Sequence, residues 1–370
     1  MIYIIWEMQK MKNKYYNLNA IMKKKAIYNI IIGQRSNGKT YSVISLMIKG
    51  FIKQGIPSAY IRRLDSELIP STLFRLLAPH VDDIKKLSHG VYNDYIYKAR
   101  VFYLVYRNDN GDIEKISEPC IYCYALSLSK NAKGADRGEI LYTLFDEFLT
   151  RKFYLNNEFI IYTELLSTII RNRDNVINFL VGNTVNKYCP YFTEMGLNHI
   201  TEQKQGTIDM YTYSNSDLTV AVEYCAESEV SKISSKYFSF DNPQLNMITR
   251  GMWELANYPH CMERVTKNDI ISKCYIIFDR NILCINVVKK SSVYLLITPQ
   301  THEIPEKHII YSDTANNNPY FVCDITRDNK KISRLIYQLI VQNKVFFSDN
   351  NTGELFNNWI KYSRKKIWRD

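Results

Sequence analysis

Eight consecutive residues carry the clearest chemical potential of the chain: Gly33-Gln34-Arg35-Ser36-Asn37-Gly38-Lys39-Thr40. They fit the pattern G-x-x-x-x-G-K-[ST]. Glycines let a backbone curl until its N–H groups point inward at phosphate oxygens. A helix opening near Lys39 adds the positive end of its dipole. Lys39 is then placed to reach the β- and γ-phosphates, and Thr40 to offer a hydroxyl to Mg²⁺. An ordinary βα turn is the bland alternative. Here, however, an apolar run (Ile27–Ile32) precedes the loop and a segment of helical periodicity (Tyr41–Gln54) follows it, which is the context the chemistry requires.

A triphosphate loop needs acids on a second strand. "LYTLFDEF" ends an apolar run in Asp146 and Glu147. Asp146 suits a Mg²⁺ ligand, and Glu147 a group that orients and polarises the attacking water. A helix N-cap pair is the competing reading, and the β-type run before it argues against that. A third apolar run, "VINFLVGNT", ends in Gly182-Asn183-Thr184, where Asn183 can touch the γ-phosphate or the water; a plain Gly-Asn turn is the bland alternative. "IIRNRDNV" places Arg171 and Arg173 at a helix end, either as solvated cations or as groups reaching a neighbour's site. The guanine-reading string N-K-x-D is absent, so adenosine triphosphate is the expected nucleotide.

Elements must hold these residues together. Short apolar runs at Ile27–Ile32, Ser58–Arg62, Ile121–Ala125, Leu141–Phe145 and Val176–Val181 suit strands of a parallel sheet covered on both faces. Helical periodicity over Tyr41–Gln54 and Glu158–Ile170 supplies crossovers, so the first 200 or so residues read as an α/β domain with a mainly parallel sheet. A polar stretch follows, then mixed short helices. From Asn268 three β-rich runs separated by turns read as an antiparallel meander, and Lys331–Gln342 as a helix. The division is therefore 1–206, a connector over 207–262, and a β-rich α+β domain over 263–370.

Composition bounds the function class. The 370 residues are 46% hydrophobic, enough for more than one core, and no run approaches eighteen uninterrupted apolar residues, so no membrane partner is expected. A net charge of +11 suits contact with nucleic acid without proving it. Eight cysteines lack a framework; the lone Cys120-x-x-Cys123 has no second pair for zinc, so reduced thiols in a cytosolic protein are expected.

"GQRSNGKT", "FDEF", "RNR" and "CPYF" (Cys189 to Phe192) follow one another in the order and spacing found in the genome-packaging ATPases of small podophages with protein-primed DNA. The chain resembles that family over Asn29–Phe192 and more loosely beyond, with a distant likeness to large-terminase ATPases. The resemblance implies an additional-strand, conserved-glutamate (ASCE) P-loop ATPase using ATP and Mg²⁺. It implies a homopentameric ring docked on the procapsid portal in the host cytoplasm, driving double-stranded DNA inward, with a packaging RNA as a further partner, and absence from the mature virion. Lys39 and Thr40 match the phosphate loop, with Arg35 a basic residue inside it. Asp146 and Glu147 match the metal ligand and the catalytic acid. Arg171 matches the arginine acting in trans, Lys133 a lysine implicated in the neighbour's site, and Asn183 the polar tip of the coupling strand. The last domain is implied to resemble an RNase H-type nuclease without a working metal site. Asp279, Asp313, Asp324 and Asp349 are the acids to consider for a live one. A terminase-like enzyme that also cuts, or a module holding a purely structural nucleotide, are the alternatives. Glu147 argues against the module, because a mere binding site has no need of a catalytic acid.

Overall fold

In a computed structural model of the protein, the structure describes residues 15–128, 138–171, 173–185, 189–200, 202–214, 216–226, 253, 258–312, 319–322, 325 and 328–367. The chain divides into two compact units, Met1–Thr150 with Phe159–Glu254, and Arg151–Glu158 with Leu255–Asp370.

The first unit is built on a nine-stranded sheet. Its strands are β1 (Tyr28–Gly33), β2 (Ser58–Arg62), β3 (Asp94–Lys98), β4 (Val101–Arg107), β5 (Ile113–Ala125), β6 (Tyr142–Asp146), β7 (Ile177–Asn183), β8 (Thr207–Tyr213) and β9 (Ser216–Tyr224). They run in the order β3-β4-β5-β2-β6-β7-β1-β9-β8. The central strands β5, β2, β6, β7, β1 and β9 are parallel. Ile30, Ile31 and Ile32 of β1 are fully buried, as a strand covered on both faces must be. Between β1 and β2 runs helix α1 (Lys39–Gln54), which buries Val43, Ile44, Met47, Ile48 and Phe51 and ends on Gly55 in the left-handed region. A short helix α2 (Val81–Leu87) precedes β3, and helix α3 (Glu158–Ile170) follows the acidic strand β6. Strand β7 lies between the loop strand β1 and the acid strand β6. This is the additional strand expected of the ASCE arrangement.

Two parts of this sheet depart from the reading above. Strand β5 begins at Ile113, well before Ile121, because its first half pairs antiparallel with β4, next to the edge strand β3. The β3–β4 turn uses Ala99 and Arg100, both with positive φ, instead of the glycine or asparagine that marks such turns. At the other edge, 207–224, taken as the start of a connector, forms β8 and β9, with β9 hydrogen-bonded to β1. Of the remainder up to 257, only Trp253 lies among the described residues beyond 226.

The second unit carries a six-stranded sheet in the order β14-β13-β10-β11-β12-β15. Strands β10 (Ile270–Phe278), β11 (Asn281–Lys289) and β12 (Val293–Pro299) form the expected antiparallel meander. Strands β13 (Ile310–Ser312) and β14 (Phe321–Val322) add in parallel beside β10, and β15 (Val345–Phe347) in parallel beside β12. Helices α4 (Lys331–Val341) and α5 (Asn350–Ile367) complete the unit. The segment Arg151–Glu158 belongs here: the Tyr154 N–H donates to Asn358 Oδ1 at 2.8 Å, and Asn156 Oδ1 accepts from the Asp279 N–H at 2.8 Å.

Candidate nucleotide site

The loop after β1 takes its shape from its own sequence. Gly38 has φ of +94°, a conformation that only glycine adopts without strain. Gly33 tolerates no side chain, because a Cβ there would stand 2.8 Å from Cys225 Cβ. The result is a cleft of about 500 Å³ lined by Arg35 to Tyr41, Asp146, Glu147 and Val181 to Asn183. Residues more than a hundred positions apart thus meet, because β1, β7 and β6 are adjacent and parallel and end on the same side.

Lys39 is buried. Its Nζ donates to Gln34 O at 2.6 Å, Asn37 Oδ1 at 3.0 Å and Asn183 Oδ1 at 3.3 Å. Burial lowers its pKa to about 8, against the opposing pull of Cys225 and Asp146. Thr40 Oγ1 donates to Asp146 Oδ1 at 2.8 Å. Burial pushes the Asp146 carboxyl above its ordinary value, while Arg62, Thr40 and Tyr60 work to keep it ionised. Asn183 therefore stands at the lysine, and Thr40 at the acid.

Two residues of this network escaped the sequence reading. Tyr60 donates its hydroxyl to Asp146 Oδ2 at 3.0 Å. Arg62, at the tip of β2, reaches Glu147 Oε2 at 2.7 Å, Glu67 Oε1 at 3.2 Å and Asp146 Oδ2 at 3.5 Å. Glu147 itself sits at φ +57° with its side chain half exposed, and its carboxylate is turned toward Arg62. The signal was present as "SAYIRR", a buried run ending in two arginines beside a run ending in two acids, but only strand order makes them neighbours. Arg63 braces the acidic turn from below, donating to Glu147 O at 3.2 Å and Phe148 O at 2.5 Å.

The arginines after α3 do not line the cleft. Arg171 is exposed in a left-handed conformation at the helix end. Arg173 donates to Ile169 O at 3.3 Å and so caps the helix C-terminus. Lys133 lies outside the described residues.

In the second unit, Asp279 occupies the left-handed β10–β11 turn, and Asp349 caps α5 by accepting from the Thr352 N–H at 2.8 Å. Asp313 and Asp324 lie outside the described residues. Among the described residues no group of three His, Cys, Asp or Glu could hold a metal.

With this geometry in hand, comparison places the chain among known proteins. The DNA packaging proteins of Bacillus phages phi29 and PZA are each 29% identical over 185 residues, covering 49% of this chain and 50% of each relative. The chain thus matches about half the length of these curated relatives. A chain of the Phi-28 gp11 DNA packaging motor shares the fold at a TM-score of 0.57 and 17% identity, covering 95% of this chain and 98% of that one. A chain of the bacteriophage Phi-29 viral genome packaging motor assembly follows at 0.53 and 19%, covering 95% and 100%. The family model for podovirus DNA encapsidation proteins (Gp16) matches residues 10–234, from before the phosphate loop to past the last strand of the large sheet, and this protein belongs to that family.

Proposed function

We propose that the protein is the ATP-hydrolysing subunit of a motor that drives double-stranded viral DNA into a preformed capsid. The observation that carries this reading is the convergence of Lys39, Thr40, Asp146, Glu147 and Asn183 on one cleft. The packaging function of the phi29 and PZA relatives supports the choice of polymer.

The donor set fits Mg²⁺. Thr40 Oγ1 and Asp146 Oδ1 are hard oxygens 2.8 Å apart at the mouth of a phosphate loop, and Mg²⁺ takes one or two such protein oxygens alongside phosphate and water. Bound there, the ion would neutralise charge developing on the β- and γ-oxygens. In this reading Lys39 gives up Gln34, Asn37 and Asn183 as acceptors and turns to the phosphates. Glu147 orients the attacking water once it leaves Arg62. The Arg62–Glu147 ion pair therefore holds the site in a resting arrangement, so that turnover waits on Arg62 releasing that carboxylate.

Arg171 is exposed and absent from its own cleft, which supports a role in the adjacent subunit of a ring, pentameric by resemblance to the family. Lys133 is proposed as a second residue acting across that interface, and Asn183 as the group that senses the γ-phosphate. The portal and a packaging RNA are the further proposed partners. The net positive charge of the chain suits the phosphate backbones of both nucleic acids without regard to their sequence. The order of β12-β11-β10-β13-β14, with β13 and β14 parallel to β10, supports an RNase H-type reading of the second unit. The structural roles of Asp279 and Asp349 favour a unit that does not cut.

The test is ATPase activity measured alone, with duplex DNA, and with purified procapsids. Stimulation by both is expected. Turnover indifferent to both would remove the motor and leave a generic ATPase.

A further inference from the structure

We propose that Tyr15 is the platform on which the base of the nucleotide stacks. The proposal rests on reading the 33–40 loop as a triphosphate cradle, and it adds the part of the ligand that loop does not contact.

Tyr15 is 48% exposed, beside a loop in which Gln34, Asn37 and Lys39 are buried. Its Cβ, Cδ1 and Cγ lie against Gly38, 3.3, 3.4 and 3.7 Å from where a Cβ of that residue would stand. The glycine is thus needed twice, for its backbone angle and for the closeness of this ring. The residue after it is held by three elements, the loop, helix α1 and strand β9. The Tyr16 N–H donates to Asn37 O at 2.8 Å, Ser42 Oγ donates to Tyr16 O at 2.6 Å, and the Tyr16 hydroxyl donates to Glu223 Oε2 at 2.8 Å. Such anchoring holds an exposed aromatic ring in one place.

That place is where the base has to go. Strand β1 has two neighbours, β7 and β9. The γ end of a triphosphate lies on the β7 flank, with Asn183, Asp146 and Glu147. The rest of the nucleotide leaves the loop in the other direction. Tyr16 is tied to Glu223 on β9, which sets Tyr15 on that opposite flank. A tyrosine face stacks on any base, most strongly on the larger purines, without reading hydrogen-bonding edges. Tyr15 therefore contributes affinity for a nucleotide over bare triphosphate and discriminates little between adenine and guanine. Tyr41, the other exposed tyrosine near the loop, already has its ring stacked on His80 at 4.2 Å and its hydroxyl on Asp83 at 3.1 Å.

The experiment is calorimetric binding of Mg-ATP, Mg-GTP and magnesium tripolyphosphate to the full chain and to its variants. Tyr15→Ala is expected to weaken ATP and GTP alike by about 5- to 100-fold and to leave tripolyphosphate within about twofold. Tyr15→Phe keeps the ring and the affinity. Tyr15→Leu keeps the packing on Gly38 but loses the flat face, and behaves like alanine even if alanine perturbs the fold. ATP binding unchanged in both Tyr15→Ala and Tyr15→Leu would overturn the proposal. So would an equal loss for ATP and tripolyphosphate, which would make Tyr15 a brace for the loop. A base-selective loss in Tyr41→Ala instead would move the platform elsewhere. If the unmodified chain bound no tripolyphosphate at all, the loop reading itself would fall first.

Discussion

Lys39 gives the sharpest quantitative expectation. Burial brings its pKa from the ordinary 10.5 down to about 8, which corresponds to roughly 3 kcal/mol favouring the neutral amine. A triphosphate against Nζ would return the proton to it. Only the protonated form binds productively, so nucleotide affinity is flat below pH 8 and falls above it. With a pKa near 8, the apparent Kd rises about tenfold by pH 9 and about thirtyfold by pH 9.5 relative to pH 7. Binding at pH 9 takes up close to one proton, visible in calorimetry as a buffer-dependent enthalpy. Stability moves the other way. Between about pH 8 and 10.5 the unfolded chain holds the proton and the folded one does not, so the ligand-free protein becomes more stable as pH rises through that window, and Lys39 exerts its full penalty below it. Lys39→Arg keeps its charge throughout and should remove the slope in affinity even if binding is weaker at every pH. A Kd for tripolyphosphate that stays constant from pH 7 to 9.5 in folded protein would refute this account, as would a slope that survives in Lys39→Arg.

Other substitutions probe the surrounding network. Glu147→Gln should keep ATP affinity within about threefold yet lower turnover by at least two orders of magnitude, as single-turnover assays would show. Arg62→Gln strands the buried Asp146 without its cation; a cost of about 3 kcal/mol should lower the melting temperature, and the acid side of the pH–rate profile should move up as Asp146 becomes easier to protonate. An unchanged profile would show that Arg62 does not govern that acid. Arg171→Ala should silence assembled rings, and mixing it with Lys39→Ala subunits should restore part of the activity; absence of rescue would return Arg171 to its own subunit or to no chemical role. Gly353→Ala would push a Cβ into the Tyr258 ring within the second unit, so its unfolding transition should drop by several degrees while ATP binding persists.

Some of this could be read from the chain as written. The loop at 33–40 is a local object, and its glycines, lysine and threonine act as consecutive residues, so order in sequence is order in space. The buried strands β1, β2, β6 and β7 were legible for a similar reason: strands covered on both faces need unbroken apolar runs. Strands at and next to the two edges were not, because more of their surface meets water and their pattern dilutes. The polar 207–224 hairpin looked like a connector, and β3 turns into β4 on Ala99-Arg100 without the usual glycine.

What the sequence alone carried was the phosphate-loop pattern, the two acids proposed to answer it and the family, since each rests on short runs of adjacent residues. What only tertiary structure decided was who holds whom. Arg62 grips a carboxylate 85 positions away, Tyr16 clamps the loop through Glu223 at a separation of 207, and Asn183 meets Lys39 across 144. Such partners are chosen by strand order and register in the sheet, a property of the whole domain that no local stretch of residues encodes.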